Sequence, residues 1–190
     1  MRKRFFYLVI AILFPFTQAI AAPENYKLDP LHSYVLWHIS HFGFSNPSGK
    51  WLAEGTLSLD EAKPENSKVN VIIHVADFIT GIPELDKHLQ GPLFFDTAKF
   101  PTATFVSDKV DATSKSTAKV HGILTVHGIS KPIVLNVTLN KLGENIMTDK
   151  MTAGFTAKAQ LKRSDFGMNT ALPVLGDEVK LDIEVEANKE

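Results

Sequence analysis

The chain has 190 residues, 44% of them apolar and 22% charged, with 20 basic against 21 acidic side chains and no cysteine. That is enough chain for one domain with a sizeable core, and the missing cysteine excludes both disulfides and a lipid-modified thiol. Near-balanced charge, with no basic run in the body of the chain, argues against nucleic acid or an anionic membrane as partner.

Arg2-Lys3-Arg4 is followed by an apolar run from Phe5 to Phe16 and then Thr17-Gln18-Ala19-Ile20-Ala21. Basic start, short apolar core and small-x-small end predict a secretory signal peptide over residues 1–21, cut after Ala21, with Ala19 as the alternative. The run falls short of the ~20 residues that span a bilayer, so no integral span is expected after processing, and the expected location is the periplasm. Residues 22–190 then form one domain, with 17 bases against 21 acids and a mildly acidic net charge of −4.

Within it, strand after strand has one apolar and one polar face. Val35, Trp37 and Ile39 alternate with Tyr34, Leu36 and His38, and His41 falls on the apolar side. A turn at Ser45-Asn46-Pro47-Ser48-Gly49 leads to Trp51, Ala53, Gly55, Leu57 and Leu59, which predicts a hairpin. Val69, Val71, Ile73 and Val75 form the next apolar face, opposite Asn70, Ile72 and His74. Pro83 at a helix start, acids in the early turns and Gly91 after the end predict one short helix, with Leu85 and Leu89 on its buried side.

A dense aromatic corner (Phe94, Phe95, Phe100) precedes the strand from Thr102 to Val110, which carries Phe105. Val120 to Lys141 reads as a hairpin, with Leu124 and Leu135 facing inward and Gly128 to Pro132 as the turn, where a missing N–H does no harm. Met151 to Leu161, including Phe155, and Val179 to Val185 complete the set.

About eight long antiparallel strands and one convincing helix indicate an all-β fold, a sandwich or an up-and-down barrel. Small inward residues (Ala53, Gly55, Gly122, Ala153, Ala157, Ala159) and the lack of a short, guarded edge strand favour a barrel with room inside. An eight-stranded wall on the order of 25 Å tall encloses a tube suited to an extended chain.

Tyr26-Lys27-Leu28-Asp29, His32-Ser33, Trp37, His41 and Gly49-x-Trp51 together resemble the opening of YceI-like proteins. So do Phe95-Asp96 with Phe100-Pro101-Thr102-Ala103-Thr104-Phe105, Gly122-Ile123-Leu124-Thr125-x-x-Gly128, Lys131-Pro132, and Arg163-Ser164-Asp165-Phe166-Gly167-Met168. Leu85 and Asp77 depart from the family pattern, near the helix. The resemblance implies an exported antiparallel barrel with one or two short helices, similar in shape to lipocalins, that holds a polyisoprenoid or similar amphiphile.

The residues expected to line the lumen and its mouth are Val35, Trp37, Ile39, His41, Trp51, Ala53, Val71, Ile73, Phe105, Leu124, Leu135, Phe155 and Arg163. His41, on the inward side near a strand end, suits a quinone carbonyl or prenol hydroxyl, or else bonds backbone at the rim. Arg163, the only arginine beyond the leader, would clamp a polar head at the mouth or pair with an acid such as Asp86 or Asp96.

A metal is not expected. His38 and His41 face opposite sides of a strand, and His121 and His127 lie ~20 Å apart along another. Hydrolytic machinery is limited to Asp86 with His88 and Ser164 with Asp165, with no Gly-x-Ser-x-Gly elbow.

The sequence thus predicts a non-catalytic binding protein with no cofactor, its ligand a polyisoprenoid, an isoprenoid quinone or a fatty-acyl amphiphile. Two readings stand beside it: an enzyme acting on a lipid or quinone in the same lumen, and a packed barrel whose outer face binds protein. A homodimer is left open.

Overall fold

The computed structural model describes residues 22–190; the predicted leader and its cut at Ala21 lie outside the described residues. The strands are β1 (Glu24–Leu28), β2 (Tyr34–His41), β3 (Ser48–Leu52), β4 (Glu54–Leu59) and β5 (Lys68–His74), followed by helix α1 (Pro83–Leu89). After it come β6 (Thr102–Ala112), β7 (Thr117–Val126), β8 (Ile129–Asn145), β9 (Lys150–Lys162) and β10 (Leu175–Lys189).

All pairings are antiparallel, and they close a ring of eight strands. β1 pairs with β10 at Tyr26–Lys189, and β2 continues alongside the same strand from Ile183–Val35 to Val179–Ile39. Therefore β1 and β2 are one wall strand interrupted at residues 29–33. β3 and β4, which pair with β2 and β1, are a second interrupted strand, broken at Ala53. Each wall strand neighbours the next in sequence, and the last returns to the first. The barrel is therefore up-and-down; at the helix end β3 is paired with β2 on one side and tied on the other only by the Lys50–Ile79 bridge.

The Asp29–Ser33 break is stitched rather than loose. Asp29 N donates to Glu186 O at 2.8 Å, Ser33 Oγ donates to the same carbonyl at 3.1 Å, and Glu186 N donates back to Ser33 Oγ at 3.2 Å. A wholly buried hydroxyl thus replaces the missing rungs of the ladder, satisfying backbone groups that would otherwise be orphaned.

The β7–β8 turn is tighter than expected. It consists of His127 and Gly128, at φ 52° and 73°, the two positive values that suit a two-residue hairpin. Pro132 is not in the turn but inside β8, opposite Ile123. The pair that flanks a two-residue turn is hydrogen-bonded, so Pro132, three steps on, takes a non-bonded position with its nitrogen turned away from β7. β8 pairs with β9 only from Asn136, so no rung is lost there.

The two ends differ. Residues 42–47, 75–101, 127–128 and 163–174 make the connections at the helix end; residues 60–67, 113–116 and 146–149 lie at the end that carries the chain termini. At the terminal end Tyr26, Leu28, Leu57, Ala153 and Ala187 form a tight apolar cluster in which Ala153 and Ala187 are 0% exposed. At the helix end Trp37, Trp51, Val75, Phe78, Leu89 and Ala103 cluster beneath α1. Helix α1 buries Leu89 and half-buries Leu85, as its pattern predicts. Phe105, Val110, Val120, Leu124 and Leu135 form a third cluster between the two.

Candidate functional site

The inner face of the barrel is the candidate site. Val35, Trp37, Trp51, Ala53, Phe105, Leu124 and Leu135 are buried, while Ile39, Val71, Ile73 and Phe155 are half-buried and all four pack against the core. These are eleven of the thirteen residues expected to line the tube, and they lie on the inward face of their strands.

Where the room lies is another matter. Small residues do not supply it: a Cβ on Gly122 would meet the Phe105 ring at 2.6 Å, and one on Gly55 would meet the Asn70 carbonyl oxygen at 2.0 Å. Ala53, Ala153 and Ala157 are packed against neighbours. Those positions bring backbones and rings together. Space is marked instead by large inward residues that burial leaves incomplete: Val179, Leu181, Ile183 and Val185 along β10, Ile39 on β2, and Leu161 on β9. Close-packed cores bury such side chains fully, and on β10 only Ala187, at the terminal end, is buried. On the β2–β10–β9 side Ala153 and Ala187 fill the terminal end, while Ile39, Leu161 and Val179 towards the helix end stay half-buried.

One polar atom in this wall has no partner. The Trp37 indole lies against Gly49, where a Cβ would come within 2.4 Å of the ring. Its Nε1–H is buried and unpaired, whereas Trp51 Nε1 donates to Val75 O at 3.0 Å. A buried donor without an acceptor costs ~1–3 kcal/mol, and sequence parity gave no hint of this one because pairing depends on the ring's tilt. Trp51, Phe78 and Phe95 form a cluster with ring centroids 4.9–5.3 Å apart, and Trp37 joins it at 6.0 Å from Trp51.

His41 and Arg163 both sit at the helix end, the first exposed and the second bonded to backbone. His41 is the last residue of β2 and is exposed, its ring against Phe42 at 4.3 Å. A bulge in β10 between Leu175 and Val179 breaks the regular alternation there. Arg163 is 5% exposed, and pairs with neither Asp86 nor Asp96. Its Nε, Nη1 and Nη2 donate to the carbonyls of Gly176, Met168 and Leu175 at 2.7, 2.7 and 2.9 Å. Burial pushes its pKa down, and Asp177 nearby pushes it up. Burial also raises the Asp177 carboxyl, but bonds from Ser164 N and Oγ and the Arg163 charge outweigh that and hold it below the usual range. Arg163 is thus the clasp of the β9–β10 connection. Asp86 is occupied separately, accepting from Thr80 N and Oγ1.

Outside the barrel, a groove of about 660 Å³ runs past His32, Tyr34, Asn140, Thr152 and Glu186. Its lining mixes polar side chains of the outer face with Leu31, Ile146 and Val185. Beside it Asp29, His32 and Glu186 bring potential ligand atoms within 4.8 Å of one another, a trio that spacing between histidines did not reveal. In the structure Asp29 Oδ2 instead contacts His32 Nδ1 at 2.9 Å. That contact raises the His32 pKa and is the main cause lowering that of Asp29.

The pair's stabilisation is therefore complete between the ordinary carboxylate and imidazole ranges. It is lost as pH falls through the lowered Asp29 value, and again as pH rises through the raised His32 value. An NMR titration is expected to show His32 above ~6.5 and Asp29→Asn returning it towards that value; no difference between the two proteins would mean the contact does not form in solution.

The model of the YceI-like domain matches residues 26–187. The chain belongs to the YceI-like family. It is 40% identical over 170 residues to a UPF0312 protein of Pseudomonas savastanoi pv. phaseolicola, covering 89% of this chain and 88% of that one. Among solved structures it is similar to the Campylobacter jejuni YceI protein, at 33% identity and a TM-score of 0.72 over 80% of this chain and 90% of that one. A polyisoprenoid binding domain from Saccharophagus degradans, implicated in plant cell wall breakdown, shares the fold at 16% identity and a TM-score of 0.67, covering 87% of this chain and 98% of that domain. No helix among the described residues is long and apolar enough to cross a membrane.

Proposed function

We propose that this YceI-like chain is exported to the periplasm, by the leader expected over residues 1–21, and holds one extended apolar chain inside the barrel. The carrying observation is the run of half-buried apolar side chains along the inner face of β10, inside an eight-stranded barrel wall. Burying apolar surface there is worth ~25 cal/mol per Å², and few polar groups are needed to orient a ligand in such a site. The unpaired Trp37 N–H offers one, a donor for a carbonyl, hydroxyl or phosphate oxygen. Polyisoprenoids, isoprenoid quinones and fatty-acyl amphiphiles all pair a long apolar chain with such an acceptor. The polyisoprenoid-binding description of the S. degradans domain supports the same class.

Binding is favoured over catalysis by the state of the candidate groups. Ser164 Oγ is bonded to Asp177 at 2.8 Å with no imidazole between them, and Asp86 caps the turn before α1. Neither is a nucleophile set against a base. The decisive experiment is mass spectrometry of an organic extract of the protein purified from its native source. An isoprenoid or acyl compound near one per chain is expected. A clean extract, together with no uptake of a fluorescent polyprenyl probe, would overturn the reading.

A further inference from the structure

The four connections at the helix end include three whose tips carry large apolar side chains in the open. Phe42 (48% exposed) and Phe44 (91%) lie in residues 42–47, Ile79 (47%), Ile82 (56%) and Leu93 (63%) in residues 75–101, and Val174 (55%) in residues 163–174. They belong to one rim. Phe42 N donates to Val174 O at 3.0 Å, the Lys50–Ile79 bridge ties the second tip to β3, and Thr170 Oγ1 donates to Leu93 O.

The tips share a second property: residues 42–47, 78–83, 91–95 and 169–174 contain no Asp, Glu, Lys or Arg, in a chain where such residues make up 22%. At the terminal end the connections read Asp60-Glu61-Ala62-Lys63-Pro64-Glu65, Thr113-Ser114-Lys115-Ser116 and Ile146-Met147-Thr148-Asp149, each with charge. The apolar, uncharged tips all lie at the helix end of the barrel.

We propose that this rim docks on a lipid bilayer, the loop tips entering the headgroup boundary so that the helix end of the barrel faces the membrane. The inference rests on the lumen reading for its purpose, loading or release of the apolar chain, but not for its evidence. Several separate tips around one end of the barrel suit a broad, deformable, low-dielectric target. Insertion of exposed Phe, Leu, Ile and Val tips buries apolar area, and the absence of charge at the tips removes the desolvation cost that charge would add. Patches of this kind on a protein surface mark interaction sites. Because the tips themselves carry no basic side chain, with Lys87 and Lys99 standing behind them, apolar insertion is expected to outweigh attraction to anionic lipid.

The test uses the purified protein with phosphatidylcholine vesicles and with vesicles containing added phosphatidylglycerol. Co-sedimentation is expected with both and is expected to survive 0.5 M salt, since screening acts on charge and not on apolar burial. The variant Phe44→Ser/Leu93→Ser/Val174→Ser should lower the partition about tenfold or more with an unchanged thermal midpoint, because all three side chains are exposed. Phe44→Trp should show a blue-shifted emission on vesicle addition.

No partition of wild type, partition only onto anionic vesicles and abolished by salt, or a triple variant that binds as well as wild type would each overturn the proposal. So would sedimentation showing a dimer that the triple variant dissociates, which would assign the rim to a second copy of the chain. Polyprenyl-probe uptake, measured without vesicles, separates the two ideas. Uptake without partition overturns docking alone, and partition without uptake overturns the lumen reading alone.

Discussion

Val71→Trp is expected to abolish uptake of a fluorescent polyprenyl or fatty-acyl probe while the barrel stays folded. Val71 lies on β5 between Gly55 and Phe105, half-buried, and packs against both the terminal cluster and the central one. An indole there points into the interior. Were that interior packed, the extra volume would force neighbours off their rotamers at ~1–3 kcal/mol or more, and thermal unfolding would show it. In a hollow tube the ring takes the ligand's place at smaller cost. Asn70→Trp is the control: Asn70 is exposed on the outer face one residue away, and this variant should bind as wild type does. A Val71→Trp protein that unfolds, or that still binds probe as tightly as Asn70→Trp, would count against a tube passing this point.

The second large effect is on stability. Arg163→Met should lower the unfolding free energy by about 3 kcal/mol, since three backbone carbonyls, one bond buried and two half-buried, lose a charged donor at once and a bond to a charged group is worth ~1.5–3 kcal/mol. Arg163→Lys should recover only part of it, because an ammonium cannot match the three directions of the guanidinium fork. Probe affinity of the folded fraction is expected to stay near wild type in both, as the side chain serves the β9–β10 connection. A folding midpoint that does not move, with affinity reduced, would restore the arginine as a head-group contact.

Alternation made the wall of this barrel legible in the amino acids. Val71 against Asn70, Val179 to Val185 against Glu178 to Glu186, and the pattern around Pro83 and Leu89 each depend on neighbours a few positions away. Helix and strand periodicity are local properties, so residue order alone carries them. The resemblance of Tyr26 to Met168 to YceI-like proteins added the ring closure, which pairs the two ends of the chain and has no local signature.

Other features were decided by tertiary structure. His41 is exposed at the end of β2, where the partner strand β10 bulges and gives it no cover. Arg163 found carbonyls instead of a carboxylate because the loop from Met168 to Gly176 folds back over it. Pro132 entered a strand because β9 begins its pairing four residues later. Gly122 and Gly55 admitted a ring and a backbone rather than a ligand. In each case the deciding contact comes from another strand or loop, at a distance and angle that no spacing within one segment encodes. The faces of the strands were therefore determined by the sequence itself; which of their inward positions are filled, and which are left open to a ligand, was determined only when the eight strands closed.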